Sequence, residues 1–310
     1  MAEGRIAVIG EALIDLAEAG DDEPRLARPG GSPYNVALGL ARLGRPAAFV
    51  GRLSRDPLGH LLREHAARSD VDLSYCVAAK QQTTVALVSL DAHGGARYRF
   101  GVDGTADFQW TDAELAHAPD DVAAVHFGSL ASWLEPGATP IARRVAALND
   151  RGAAVSYDPN VRPHLQPDRA AARKRVETAL GLAHLVKTSV EDVDWLRPGE
   201  PVEDVAASWL ALGPSAVVIT RGRDGATVVT TQSTVHRPAP PVEVVDTVGA
   251  GDAFMSGLLD ALAERESLTP QGIATAAWPQ VLDHAALVAA ITCSRAGANP
   301  PRRHELGTHR

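Results

Sequence analysis

The residues with the clearest capacity for chemistry are at 244–259, VVDTVGAGDAFMSGLL. Gly249 and Gly251 bracket Ala250, and Phe254, Leu258, Ala261 and Leu262 follow at helical spacing, so a helix is expected to begin near 250. Small residues before a helix start let backbone N–H groups converge on one point, and the helix end adds a partial positive charge. Gly249, Ala250 and Gly251 therefore suit an anion hole for a phosphoryl group in transfer. Asp252 falls in the first turn, where a carboxylate is favoured in its ionised form and can accept a proton from a hydroxyl. The same residues would also serve as an ordinary helix start capped by an acid.

A second segment, 30–44, reads GGSPYNVALGLARLG. Ser32 followed by Pro33 marks a helix start, and Val36, Leu40 and Leu43 form an apolar stripe that Gly44 ends. Gly30 and Gly31 leave room for a ligand against the backbone, and Asn35 offers both donor and acceptor to a hydroxyl. Asp15 follows a strand end, where α/β proteins bind ligands. Asp158, Asn160 and Arg162 follow another; Arg162 could balance phosphate charge, and Asp158 could fix a hydroxyl or the arginine. A turn built by Asp-Pro-Asn is the plainer reading of that stretch.

The elements that must position these groups alternate. Short apolar runs at 5–9, 47–50, 122–127, 153–157, 184–187 and 216–220 are separated by helical patterns at 35–43, 58–67, 140–150, 168–181 and 202–212. This is the rhythm of βαβ units, giving an α/β fold with a mostly parallel sheet between two helical layers. Runs at 226–231 and 234–237 suggest an antiparallel finish, and 281–294 a last helix. Segments 13–28 and 83–100 break the rhythm. The second holds a hairpin pattern about DAHGG at 91–95. The two are expected to pair as a small β lid inserted in one domain, 1–310, that covers a ligand and excludes water. The Pro-led tail 300–310 is expected to fray.

Composition narrows the partners. The chain has 30 Lys+Arg against 38 Asp+Glu, a net charge of −8, and no long basic run, which disfavours nucleic acid and membrane surfaces. No segment reads as a signal peptide or approaches the ~18 apolar residues of a membrane span, and the expected location is the cytoplasm. Cys76 and Cys293 are read as reduced thiols, and the 11 histidines show no metal-ligand spacing. Trp195, Trp209 and Trp278 lie in helical patterns and are expected to pack in the core.

Together, the Gly-Gly segment and DTVGAGD resemble the ribokinase-like (PfkB) carbohydrate kinase family, and are closest in motif to its fructokinase-type members. GEALIDL at 10–16, GTAD at 104–107, YDPNVR at 157–162, KTSVED at 187–192, ITRGRDGA at 219–226 and CSRAGA at 293–298 extend the resemblance along nearly the whole chain. It implies a three-layer α/β/α domain with a β lid, and ATP-dependent phosphorylation of a sugar hydroxymethyl group. By resemblance, Asp252 is the catalytic base, and Asp15, Gly30, Gly31, Asn35 and Arg162 meet the sugar. Lys187, Ser189, Thr220, Gly222, Gly225, Gly249 and Gly251 meet ATP. Asp246 and Val248 match a loop that binds a monovalent cation such as K⁺, and Asp192 would reach Mg²⁺ through water. A homodimer through the lid is also implied.

The chain departs from the family pattern in places. Ser189 and Asp192 stand where many members have Asn-x-x-Glu, Val248 where many have Thr, Tyr34 where a small residue is usual beside the sugar, and Val102 where fructokinase-like members often have Arg. Fructose converted to fructose 6-phosphate is the leading expectation. The alternatives are 2-keto-3-deoxygluconate, ribose or a nucleoside, with Arg97, Arg99 and Arg162 as candidate cations for a keto acid, or a sugar sensor without catalysis. A dehydrogenase is disfavoured because RIAVIG continues as EALIDL, without G-x-G-x-x-G.

Overall fold

A computed structural model describes residues 4–17, 26–90 and 96–309. Its strands are β1 (Ile6–Ile9), β2 (Leu13–Ala17), β3 (Leu26–Gly30), β4 (Ala47–Val50), β5 (Arg52–Ser54), β6 (Val77–Ala79), β7 (Val85–Leu90), β8 (Ala96–Gly101), β9 (Ala124–Gly128), β10 (Ala154–Asp158), β11 (Leu185–Ser189), β12 (Ala216–Thr220), β13 (Ala226–Thr230) and β14 (Thr234–Arg237). The helices are α1 (Ser32–Arg42), α2 (Pro57–Ala67), α3 (Asp112–Leu115), α4 (Ala138–Asp150), α5 (Arg169–Leu180), α6 (Val190–Leu196), α7 (Val202–Leu210), α8 (Ala250–Glu264), α9 (Pro270–Ala274) and α10 (Trp278–Cys293).

Alternation within the apolar strands decides the layers. In β1, Ala7 and Ile9 join one buried apolar cluster, while Ile6 and Val8 join the other. A strand apolar on both faces must be covered on both. The large sheet runs β14-β13-β12-β11-β10-β9-β1-β4; its members from β4 to β12 are parallel, and β13 and β14 close it antiparallel. α4, α5, α6 and α7 supply residues to one cluster, and α1, α8 and α10 to the other. Three layers, α/β/α, result.

The two segments that break the βαβ rhythm meet in a second sheet, β3-β2-β7-β8. β2 pairs β7 in parallel, Ile14 opposite Val85, and each belongs to its own antiparallel pair. The DAHGG turn at 91–95, and part of the 13–28 segment, lie outside the described residues.

Two expectations change. The C-terminal tail does not fray: residues 303–309 form a short 3₁₀ turn, with Leu306 buried beside Leu43, Ala253, Val288 and Ile291. Arg303 reaches the buried Asp260 and the Leu43 carbonyl, so polarity in this tail serves docking. Tyr34 does not crowd a ligand. It is wholly buried, donates through its hydroxyl to the Leu62 carbonyl at 2.8 Å and packs edge-on against Phe49.

Candidate active site

The floor of the site forms where α1 and α8 begin side by side. Gly31, the N-cap of α1, has φ 105°, and a Cβ there would stand 2.7 Å from the Glu11 carbonyl oxygen. Only glycine combines that dihedral with that approach. About two turns further along α1 the two helices close again: a Cβ on Gly39 would lie 2.3 Å from Ser256 Oγ. This proximity brings Ser32 and Asn35, three residues apart on one helix face, against Asp252 in the first turn of α8. Ser32 Oγ donates to Asp252 Oδ1 at 2.7 Å, and Asn35 Nδ2 donates to Oδ2 at 2.8 Å.

Asp252 is 8% exposed. Burial raises its pKa above the ordinary carboxylate value, against the opposing pull of the Ser32 and Asn35 hydrogen bonds and the Lys187 charge. A carboxylate fixed in direction and raised in basicity is a good proton acceptor. The Asn35 Oδ1 atom is buried without a hydrogen-bond partner, leaving an acceptor beside the Asp252 carboxylate.

Behind Asp252 lies a buried ion pair. Lys187 Nζ, on β11, is 2.8 Å from Asp158 Oδ2 at the end of β10, and the two residues are 5% and 1% exposed. Asp158 thus fixes Lys187, while Arg162 hydrogen-bonds to Asn160 and the Val161 carbonyl. A Cβ on Gly251 would sit 2.9 Å from Lys187 Nζ, so the missing side chain lets the ammonium lie against the start of α8. Gly249 caps that helix in the left-handed region, φ 76°, where a Cβ would strike Ala298. The Ala250 N–H donates to the Thr247 carbonyl at 3.2 Å. The Gly251 and Asp252 N–H groups precede the first acceptor the helix supplies.

A cavity of about 810 Å³ opens above these groups, lined among others by Asp15, Gly31, Asn35, Arg162, Lys187 and Asp252. Asp15 comes from the lid. Burial pushes its pKa up to about 6, helped by Asp252 and opposed by Arg162 and Arg28. A Cβ on Gly30 would meet Asp15 Oδ2 at 2.4 Å, so that glycine makes room for the carboxylate. Phe100 of β8 and Leu13 of β2 supply apolar wall.

The loop before α8 contributes Asp246 and Val248 to the same cavity. Asp246 Oδ1 accepts from Val248 N at 3.0 Å, and Oδ2 from Gly297 N at 2.8 Å. Ser189, Asp192, Thr220, Gly222 and Gly225 are not in that lining. They gather at the carboxyl ends of β11 and β12, where Ser189 pairs with Thr220. Ser189 and Asp192 cap α6 reciprocally, and Asp192 Oδ1 also accepts from Val161 N at 3.0 Å, which ties α6 to the Arg162 loop. Gly222 and Gly225 have φ of 54° and 93°, and a Cβ on Gly225 would collide with the Arg237 carbonyl. Arg99 is exposed.

Sequence reasoning passed over Ser32 as a helix start, and left Glu11 and Asp107 unmentioned as buried acids. Glu11 accepts from Ala131 N at 3.0 Å, and Asp107 accepts from Ala12 N at 2.9 Å. Ser32, three residues before Asn35 and next to a double glycine, was the available signal; nothing local marks Glu11 or Asp107. Among the described residues, Asp260, Glu264 and His284 approach metal-like spacing away from this cavity. Asp260 already faces the Arg45 and Arg303 guanidiniums, which disfavours a cation there.

A model of the pfkB family carbohydrate kinases matches residues 3–305. A fructokinase of Rhizobium leguminosarum bv. trifolii is 37% identical over 314 aligned residues, covering 97% of this chain and 90% of that protein. A fructokinase of Klebsiella pneumoniae is 37% identical, covering 84% and 85%. Among solved structures, a Xylella fastidiosa fructokinase with bound ATP superposes with a TM-score of 0.89 at 28% identity, covering 98% of this chain and 97% of that one. A Vibrio cholerae O395 fructokinase variant bound to fructose, ADP and potassium gives 0.87 at 27% identity, covering 99% and 98%. A family match along nearly the whole length joins a carboxylate held at a helix start beneath a lid: the chain belongs to the pfkB family of carbohydrate kinases.

Proposed function

We propose that the chain transfers the γ-phosphoryl group of ATP to the 6-hydroxyl of fructose. The observation that carries this reading is the two-point hold on Asp252 by Ser32 and Asn35 at the floor of a lidded cavity. The similar proteins named above, which are fructokinases, support the choice of sugar. Tyr34, turned away from the cavity, removes one objection to it.

In this reading Asp252 accepts the proton of the attacking hydroxyl. Ser32 and Asn35 aim its carboxylate, and Asn35 Oδ1 and Asp15 accept hydrogen bonds from other sugar hydroxyls. The Gly251 and Asp252 amides and the Lys187 ammonium meet the negative charge of the transferring group. Thr220, Gly222 and Gly225 form the nucleotide shelf, and β2, β3, β7 and β8 exclude water above the sugar.

The oxygen donors fit the cations this chemistry uses. Asp246 keeps a further lone pair on each carboxylate oxygen, and although the half-exposed Arg28 guanidinium lies 3.9 Å from Oδ2, Oδ1 with loop carbonyls would suit a monovalent cation, which would hold the loop before α8 in place. Mg²⁺ would keep waters and phosphate oxygens as most of its ligands, Asp192 would meet it only through water, and when bound it would neutralise charge on the β and γ phosphates. A coupled ADP assay over fructose, ribose, tagatose, 2-keto-3-deoxygluconate, adenosine and aminoimidazole riboside tests the proposal. Fructose is expected to give the highest kcat/KM. A higher value for any other member would replace it as substrate.

A further inference from the structure

On the opposite face of the sheet a second cavity, about 400 Å³, opens between α4 and α5. Its floor is Phe127 at the end of β9, packed on Tyr157 with ring centres 4.8 Å apart. Ile141, Ala142, Ala171 and Ala179 form its sides, and the small side chains keep the two helices from closing over it. The lining is therefore mainly apolar. Three features give it polarity. Trp133 lines it and is buried, and its indole N–H has no hydrogen-bond partner. Lys174 and Arg175 stand exposed at the rim, and neither forms an ion pair with any described residue, the neighbouring Glu177 being taken by Arg173 and Arg197. The rim carboxylate, Glu135, is turned to the Thr139 hydroxyl and N–H at the start of α4. Two unpaired cations and an unused donor around an apolar floor complement an anion with an apolar body.

The cavity shares a wall with the active site. Ser129 and Leu130 line the active-site cavity, while Ser132 and Trp133 line this one. Between them the Ala131 N–H donates to Glu11 in the active-site wall, and Ser132 Oγ donates back to the Ser129 carbonyl at 2.7 Å. A group pressed against Trp133 is thus a few bonds from the sugar side.

We propose that this second cavity binds a small organic anion with an apolar body, and that its occupancy alters sugar binding through residues 129–133. The binding half stands apart from the proposed function; the coupling half rests on it. The probe is 8-anilinonaphthalene-1-sulfonate, titrated by fluorescence into the full chain with ADP and fructose saturating, a pair that occupies the active site without turnover. One saturable site per chain is expected. Ala142→Trp and Ala171→Phe, which fill the cavity, should each weaken binding by about tenfold or more. The Lys174→Glu/Arg175→Glu pair should weaken it by about fivefold. Far-UV circular dichroism confirms that each variant is folded. Non-saturable binding, displacement by ATP, or affinity unchanged in both filling variants would overturn the site. Saturating probe is also expected to change the fructose KM by about twofold or more in the wild type and not in Ala142→Trp. Binding with an unchanged KM would overturn the coupling.

Discussion

Lys187 and Gly251 are fitted to one another: a Cβ at 251 would stand 2.9 Å from the lysine ammonium, which is itself held by Asp158 at 2.8 Å. The absence of a side chain at the second position of α8 sets where a buried positive charge meets the helix start. Gly251→Ala should leave the helix intact, because alanine is the better helix former. It should push the ammonium off its place and lower kcat by about 10- to 100-fold. Steady-state kinetics with a thermal melt would check this; a kcat near wild type would mean that Lys187 has no part in phosphoryl transfer.

If Asp15 accepts from the sugar as proposed, sugar binding will depend on pH. Burial raises its pKa from 3.8 to about 6, so its accepting, ionised form fills in as pH rises through 6. The sugar KM should fall by about tenfold between pH 5 and 7, as expected for one charged hydrogen-bonding pair, with little change in the ATP KM. Asp15→Asn should flatten that profile. Parallel pH profiles for both substrates would assign the titration to another group.

Asp107 links pH to stability. Burial pushes it from 3.8 to about 7, against hydrogen bonds from Thr84 and Ala12 N. The folded chain thus holds a proton that the unfolded chain releases. That contribution is complete below pH 3.8 and is lost as pH rises to about 7. Buried His126, lowered to about 4, acts in the opposite sense, so the variant must be compared with wild type at each pH. The melting temperature of Asp107→Asn relative to wild type should rise between about pH 5 and pH 8. A constant difference would show that Asp107 does not change protonation on folding.

The tail contributes through Asp260, a wholly buried carboxylate on α8 that binds Arg45 at 2.5 Å, His284 at 2.8 Å, and Arg303. Burial alone would raise its pKa; the His284, Arg45 and Arg303 contacts outweigh burial and hold it below the ordinary value. Its stabilisation is present above pH 3.8 and lost as pH falls through the depressed value. Arg303→Ala should cost about 1–3 kcal/mol at neutral pH, measured by urea denaturation, and less in acid. No loss at neutral pH would mean that Arg45 and His284 suffice.

Legibility in the sequence followed the range of the interactions. The parallel sheet was legible because strands such as Ile6–Ile9 are apolar on both faces, and α8 because its glycines precede a periodic apolar stripe. The three-residue strands Arg52–Ser54 and Val77–Ala79 are too short to show a period, so they went unread. Asp252 and Asn35 were visible as residue types near glycines, and Asp15 as a carboxylate after a strand end. Their mutual geometry was not, since Ser32 and Asp252 are 220 residues apart and meet only through packing of α1 on α8. Asp158 was ambiguous for the same reason, its partner Lys187 lying on the next strand. The tail misled because Arg303 looked solvated while answering a buried acid on α8, and Glu305 while pairing with Arg295.

Asp252 is the centre of the proposed chemistry, and ADP release tests it most directly. With ATP, Mg²⁺ and fructose, wild type should release ADP in proportion to fructose consumed, forming fructose 6-phosphate. Asp252→Asn should still bind both substrates while losing about 10²- to 10⁴-fold in kcat. Fructose-independent ADP release in the wild type, or a kcat in Asp252→Asn within a few-fold of wild type, would contradict the assignment.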